Sequence, residues 1–378
     1  MNQPHAAAPP LDLCERVPSY VRAIAPYQPG KPISELAREL GLDEANIVKL
    51  ASNENPLGAS PRALQAMRPA LDDVGRYPDG NGFELKQALA KRFGITQDSI
   101  VLGNGSNDVL ELAARAFLAP GASAVFSRHA FAVYGLATQA SGATSIEVPA
   151  RSFGHDLEAM ARAVRDDTRV VFIANPNNPT GTWVAPEVVR KFLEKLSGDI
   201  LVVLDEAYNE YLPAVQLADS VSWLHRYPNL LVSRTFSKAY GLAGLRVGYG
   251  LAHPQVADLM NRVRQPFNVS SVAQAAAVAA LGDAGFVERS FELNRAGMQQ
   301  LVAGFKRLGL SWIESHANFV CLGVANAAHV YQHLLRKGVI VRPVGSYSLP
   351  EHLRVSIGLE TENARFLAAL EEVLSGRV

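Results

Sequence analysis

One lysine stands out by its surroundings. In Ser233-Arg-Thr-Phe-Ser-Lys238-Ala-Tyr-Gly-Leu-Ala-Gly-Leu-Arg246, Lys238 sits among hydroxyls, glycines and apolar residues, with few carboxylates beside it. A lone lysine is ordinarily a solvated surface charge. One held in such surroundings loses solvation, its pKa falls, and its amine becomes nucleophilic. Thr235, Ser237 and Arg246 add two hydroxyls and a guanidinium, donors that suit a phosphate. A second chemical signal is Asp205, which follows the apolar run Ile200 to Leu204 and opens Asp-Glu-Ala-Tyr (205–208). A carboxylate at the end of a buried strand stays ionised only beside a cation or hydrogen-bond donors. Metal ligation and helix capping are the competing roles, and no histidine or carboxylate cluster has convincing ligand spacing, so no metal is expected.

Two further turns carry polar groups. Gly103-Asn104-Gly105-Ser106-Asn107 leads from an apolar run into a helical one. Such a turn presents free backbone N–H groups and the positive end of a helix dipole, which suits a phosphate; a tight turn capped by Ser106 is the plainer reading. Asn175-Pro-Asn-Asn-Pro-Thr-Gly181 forces a turn whose side chains face whatever lies above the sheet, or serves the turn alone. A nicotinamide dinucleotide is the rival ligand. The pattern Gly103-x-Gly105-x-x-Asp108 lacks the third glycine, and Phe126-Ser127-Arg128 offers no carboxylate for a ribose. Together the four groups describe a ligand with a phosphate, an aldehyde for a lysine and a basic ring nitrogen for a buried acid. Pyridoxal 5'-phosphate meets all three demands.

These groups need a scaffold that delivers them to one place. Apolar runs over 99–102, 122–126, 144–148, 169–174, 200–204 and 230–233 alternate with helical periods such as 107–118 and 130–140. Strands separated by helices imply right-handed crossovers and a mostly parallel sheet covered on both faces, with ligands at the carboxyl ends of the strands. The expected architecture is α/β: a large domain with a mostly parallel sheet flanked by helices, over residues 46–275, and a smaller α+β domain over 276–378. The small domain holds late strands at 338–344 and 352–357. Residues 1–45 are rich in proline and read as an arm, ending in an amphipathic stretch over 33–40 stopped by Gly41. The Ala-rich run 272–281 is too short to span a membrane and reads as a buried helix.

Composition excludes other classes. Thirty-six basic and 36 acidic residues cancel, which argues against nucleic-acid binding. A content of 48% hydrophobic and 19% charged residues excludes bulk disorder. Two cysteines, Cys14 and Cys321, give no disulfide framework, and no signal peptide is visible, so a reducing cytoplasm is expected.

The chain resembles the fold-type I pyridoxal-phosphate aminotransferases over nearly its whole length. The likeness rests on Ser-Asn-Glu-Asn-Pro-Leu-Gly (52–58), Arg-Tyr-Pro-Asp (76–79), Asn-Asn-Pro-Thr-Gly (177–181), Asp-Glu-Ala-Tyr (205–208), Ser-Lys-Ala-Tyr-Gly-Leu-Ala-Gly-Leu-Arg (237–246) and Leu-Arg-Val-Ser-Ile-Gly (353–358). Within that family it is most similar to the branch acting on histidinol phosphate with 2-oxoglutarate, with aromatic amino acid transaminases as the alternative. The resemblance implies that Lys238 captures the cofactor aldehyde and shuttles the proton, that Asp205 pairs with the ring nitrogen, and that Tyr208 and Asn178 bond the ring oxygen. It implies that Ser106, Asn107, Thr235, Ser237 and Arg246 hold the phosphate, joined by Tyr77 from the other subunit of a homodimer. It implies Arg354 as the substrate-anion arginine, with Arg342, Tyr27 and Asn53 nearby. Two departures matter. Asn107 stands where relatives often carry a carboxylate, and Phe131 where the ring-stacking residue is often tyrosine. Phe131 keeps the stacking surface; Tyr134, three residues on, either shares that side of the helix or simply packs.

Overall fold

The computed structural model describes residues 12–376. Strand β1 (Val48–Lys49) is followed by β2 (Ile100–Gly103), β3 (Ser123–Ser127), β4 (Thr144–Val148), β5 (Thr168–Ala174), β6 (Leu201–Asp205), β7 (Leu230–Thr235) and β8 (Gly248–Ala252). Strands β2 to β8 form a seven-stranded sheet in the order β2-β8-β7-β6-β5-β3-β4. Pairing is parallel from β7 through β6, β5 and β3 to β4, while β8 runs antiparallel to both β2 and β7. The continuous apolar runs follow from burial on both faces. In β6, Val202 and Leu204 enter one core cluster, and Leu201 and Val203 enter the cluster on the opposite face. The edge strand β4 is largely exposed.

The second body is smaller. Strands β9 (Ser311–Ile313), β10 (Phe319–Gly323), β12 (Arg342–Pro343) and β13 (His352–Ser356) form an antiparallel sheet in the order β12-β13-β10-β9, while β11 (Val339–Ile340) pairs in parallel with β1. Helices Ala327–Arg336 and Glu360–Leu374 close a separate apolar cluster over it. The 24-residue helix Ala284–Arg307 also packs here.

Several elements differ from expectation. The run over 338–344 is two strands: Val339 and Ile340 pair with β1, whereas Arg342 and Pro343 pair with Arg354 and Leu353. One segment thus serves two sheets. Strand β8 (Gly-Tyr-Gly-Leu-Ala) gives no strand signal, because its glycines read as turn residues. The helix over 33–40 is found as expected, with Gly41 at φ 65° ending it. The Ala-rich helix is found over Ser271–Leu281, with Ala273, Ala276, Ala277 and Ala280 buried. No helix among the described residues is long and apolar enough to cross a membrane.

Candidate active site

The carboxyl ends of β2, β5, β6 and β7 open onto a cavity of about 250 Å³. Its lining includes Ser106, Asn107, Phe131, Asn178, Asp205, Tyr208, Thr235, Ser237, Lys238 and Arg246 from the large sheet's side, and Tyr27, Asn53, Arg342 and Arg354 from the opposite side. The sequence-derived candidates therefore converge, with one exception. Tyr77 lies outside the cavity, 82% exposed, its ring stacked 4.7 Å from that of Phe267.

One wall is a cradle of backbone and hydroxyl donors. Helix Ser106–Phe117 begins at the end of β2 and aims its N-terminus at the cavity. Gly105 is required there: its φ is +82°, and a Cβ would lie 2.4 Å from Arg246 Nη2. A Cβ on Gly248 would meet the Ser106 amide nitrogen at 2.4 Å. Arg246, itself at φ +54°, donates to the Ser237 hydroxyl at 3.3 Å. Thr235 Oγ1 accepts the Ser237 amide at 3.1 Å, which folds the strand end into the same cradle.

At the centre, Lys238 Nζ donates to the Ser52 carbonyl at 3.3 Å and stands 5.7 Å from the Tyr208 ring centroid. Burial, aided by the Arg354 charge, pushes its pKa down to about 7. Asp205 Oδ2 accepts from the Tyr134 hydroxyl at 2.8 Å and Oδ1 from the Ala207 amide at 3.2 Å. Burial pushes the carboxyl up to about 6, and those two donors hold it from rising further. Tyr134 is thus a site residue that sequence reasoning left as possible packing. It is fully buried, its ring stacks on Phe172 at 4.8 Å, and Phe131 meets it edge-on at 6.0 Å. The signal available was its place three residues after Phe131, in the first turn of helix Ala132–Ala140.

The far wall carries the arginines. Arg342 and Arg354 face each other across β12 and β13. Arg354 donates to Asn178 Oδ1 at 2.6 Å and to the Ala51 carbonyl at 2.7 Å, and its Nε, though buried, has no partner. Arg342 donates to the Gln28 carbonyl and lies 5.6 Å from the Tyr27 ring centroid. Two guanidiniums opposed on neighbouring strands and satisfied only by neutral oxygens are unfavourable alone and suit an anion. Asn53 lines the cavity, yet all its polar groups are engaged within the protein: Nδ2 donates to Tyr208 Oη, Oδ1 accepts from Ser356 Oγ, the amide donates to Ser356 Oγ, and the carbonyl accepts from Asn318.

Pyridoxal phosphate fits this donor set. The cradle offers a phosphate backbone amides, hydroxyls and a guanidinium; Lys238 offers an amine that is partly neutral near pH 7; Asp205 offers a carboxylate to a ring nitrogen. Among the described residues, no group of histidine, cysteine and carboxylate side chains is arranged to hold a metal ion.

Comparison with known proteins agrees with this chemistry. Residues 45–370 match the family described as aminotransferase class I and II. A histidinol-phosphate aminotransferase of Methylobacillus flagellatus is 64% identical over 365 residues, covering 97% of this chain and 99% of that protein. Histidinol-phosphate aminotransferase 2 of Nitrosospira multiformis is 63% identical over 361 residues, covering 95% and 92%. Among solved structures, histidinol-phosphate aminotransferase from Sinorhizobium meliloti in complex with pyridoxal-5'-phosphate aligns with a TM-score of 0.89 at 31% identity, covering 96% of this chain and 98% of that one. An aspartate aminotransferase mutant of Thermus thermophilus shares the fold, with a TM-score of 0.81 at 24% identity over 95% and 99% of the two chains.

Proposed function

Because the chain belongs to the class I and II aminotransferases, pyridoxal-phosphate-dependent transferases, we propose that it moves the amino group of L-histidinol phosphate to 2-oxoglutarate. The products are imidazole-acetol phosphate and L-glutamate, and the step belongs to histidine biosynthesis. The observation that carries this reading is the buried, unpartnered Nε of Arg354 in the same cavity as the Lys238 amine. The names of the Methylobacillus flagellatus and Nitrosospira multiformis relatives, each above 60% identical, support the choice of substrate.

When bound, the cofactor supplies an aldehyde for the lysine and a protonated ring that accepts electrons from the carbon next to the substrate nitrogen. The chain's own groups do the rest. Ser106, Asn107, Thr235, Ser237 and Arg246 would hold the phosphate, and Phe131 would cover the ring. Asp205 would keep a proton on the ring nitrogen, with Tyr134 holding the acid ionised. Asn178 and Tyr208 would donate to the ring oxygen. Lys238 Nζ would take the proton from the substrate carbon that bears the amine and deliver it to the carbon that carried the cofactor's aldehyde. Histidinol phosphate carries its phosphate arm where glutamate carries its α-carboxylate, so Arg354 would receive either anion, with Arg342 adding a second charge for the phosphate. Tyr27 and Gln28, tied to Arg342, would cover the cavity from the arm.

The same reading makes the protein a cytoplasmic homodimer in which each subunit's Tyr77 reaches the other's phosphate cradle. The exposure of Tyr77, Phe83 and Phe267 supports a covered face there. The deciding experiment is a half-reaction. Holoenzyme mixed separately with histidinol phosphate, glutamate and phenylalanine should lose the visible band of its cofactor with the first two. Rapid bleaching by phenylalanine with none by histidinol phosphate would replace this substrate by an aromatic amino acid.

A further inference from the structure

Tyr208 is joined to the small sheet by a chain of hydrogen bonds that no substrate contact requires. Ser356 Oγ donates to Asn53 Oδ1 at 3.0 Å and accepts the Asn53 amide at 2.8 Å. Asn53 Nδ2 then donates to Tyr208 Oη at 2.9 Å. All three side chains are buried, with 2% exposure for Asn53, 4% for Ser356 and 4% for Tyr208. The directions are determined. A serine hydroxyl has one proton, and here it goes to Oδ1, so the amide cannot turn without losing the bonds at both of its ends. The phenol oxygen of Tyr208 receives a proton from Asn53, which leaves its own proton for the cavity. Asn53 is held in place by a left-handed backbone, φ +54°, a conformation that asparagine tolerates better than most residues.

We propose that Ser356 and Asn53 are positioning residues that aim the Tyr208 hydroxyl proton at the ring oxygen of the cofactor, and that Asn53 is not a substrate ligand. The inference rests on the reading of Tyr208 given above and deepens it. Burial pushes Tyr208 up to about 12, so it keeps its proton throughout the working range. The charged and titratable groups around it are Arg354, Asp205, Tyr347, Lys238, Tyr134 and Tyr211, and none of them accepts its proton. Ser356 also stands two residues from Arg354 on β13, on the same side of the strand. The strand that presents the substrate-anion arginine therefore also orients the Tyr208 hydroxyl.

The test reads the cofactor's visible band rather than turnover alone. A donor at the ring oxygen drains charge from it and makes the neighbouring nitrogen less basic, so losing the donor raises the pH at which the band changes. In holoenzyme, Ser356→Ala should raise that midpoint by about half a unit, the equivalent of a modest hydrogen bond. Ser356→Thr, which keeps the hydroxyl, should restore it, and the KM for histidinol phosphate should move less than about twofold, below the loss expected of a direct contact. Asn53→Asp, which turns the donor facing Tyr208 into an acceptor and keeps a residue that tolerates this backbone, should shift the midpoint in the same direction and provides the reading if Ser356→Ala is unstable. Ser356→Ala combined with Tyr208→Phe should shift no further than Tyr208→Phe alone. A moved midpoint in Tyr208→Phe beside an unmoved one in both Ser356→Ala and Asn53→Asp would overturn the positioning role alone. A raised KM with an unmoved midpoint in those two variants would make Asn53 a substrate ligand after all. An unmoved midpoint in Tyr208→Phe would overturn the ring-oxygen assignment itself, and the positioning role with it.

Discussion

Asp205 and Glu206 are consecutive carboxylates at the end of β6, and they meet opposite environments. Glu206 is bound by Arg234 through Nη2 at 2.7 Å and Nε at 2.9 Å, and Arg234 packs over the Phe93 ring at 5.2 Å. That charge is closed within the protein. Asp205, on the other side of the chain, receives a phenol and a backbone amide, both neutral, and borders a cavity. The same contrast holds among the arginines: Arg234 has its carboxylate, whereas Arg354 has two carbonyl-type oxygens and a bare Nε. A buried charge with its counter-charge built in stabilises a structure only modestly and makes its breakage costly. One left short of a counter-charge holds room for a ligand.

The strongest way to break the comparison is at the lysine. Lys238→Ala should abolish the visible absorbance of bound cofactor and essentially all transamination; retained turnover would remove Lys238 from the chemistry. Next comes the contrast itself. Arg234→Ala should lower unfolding free energy by roughly 3–5 kcal/mol in urea titration, because it strands Glu206. Asp205→Asn should leave the urea midpoint close to that of the parent and lose most of the rate. Equal stability losses for the two would erase the distinction. Tyr134→Phe sharpens it further. The hydroxyl donates to the ionised acid and so lowers its pKa; without it, Asp205 rises from about 6 and competes for the ring proton. Reconstitution with cofactor labelled with nitrogen-15 should show the ring nitrogen signal moving toward the unprotonated form, with a rate loss of about tenfold for one hydrogen bond to a charge. The smallest effect concerns pH. Capture of cofactor by apoenzyme should rise with pH about a midpoint near 7, as Lys238 loses its proton. Arg354→Ala removes a neighbouring positive charge and should move that midpoint upward; a midpoint left near 10 in the parent would contradict the buried amine.

Much of this was legible in the sequence because it depends on local signals. Parallel strands buried on both faces read as continuous apolar runs, and residues just after them fall at the sheet's ligand-binding edge. Asp205 and the turn ending at Ser106 were found in that way. Lys238 needed only its composition. What the sequence did not show depends on contacts between distant segments. That Asp205 and Glu206 part company is decided by which side of β6 holds Arg234. Tyr134 becomes a hydrogen-bond donor to Asp205 only because its helix, packed against β3 and β4, lays the ring on Phe172 of β5, beside the end of β6. The bonds from Ser356 through Asn53 to Tyr208 join positions some 150 and 300 residues apart, and serine in a strand gives no sign of such a partner. Strand β8 was hidden by glycines whose missing side chains are what let helix Ser106–Phe117 lie against it.

That reversed strand has one more effect. In a purely parallel sheet each crossing delivers side chains to the ligand edge only as the chain leaves a strand. Since β8 travels the other way, its entrance coincides with its neighbours' exits, and the residues leading into it arrive at the same rim. Arg246 stands at that entrance, so a single inversion lets the connection from β7 to β8 bring the Lys238 amine near its beginning and the Arg246 guanidinium at its end to one cavity. On the proposed reading a linker of a dozen residues would reach both the phosphate and the aldehyde of the cofactor, and lengthening or shortening it would misalign both at once.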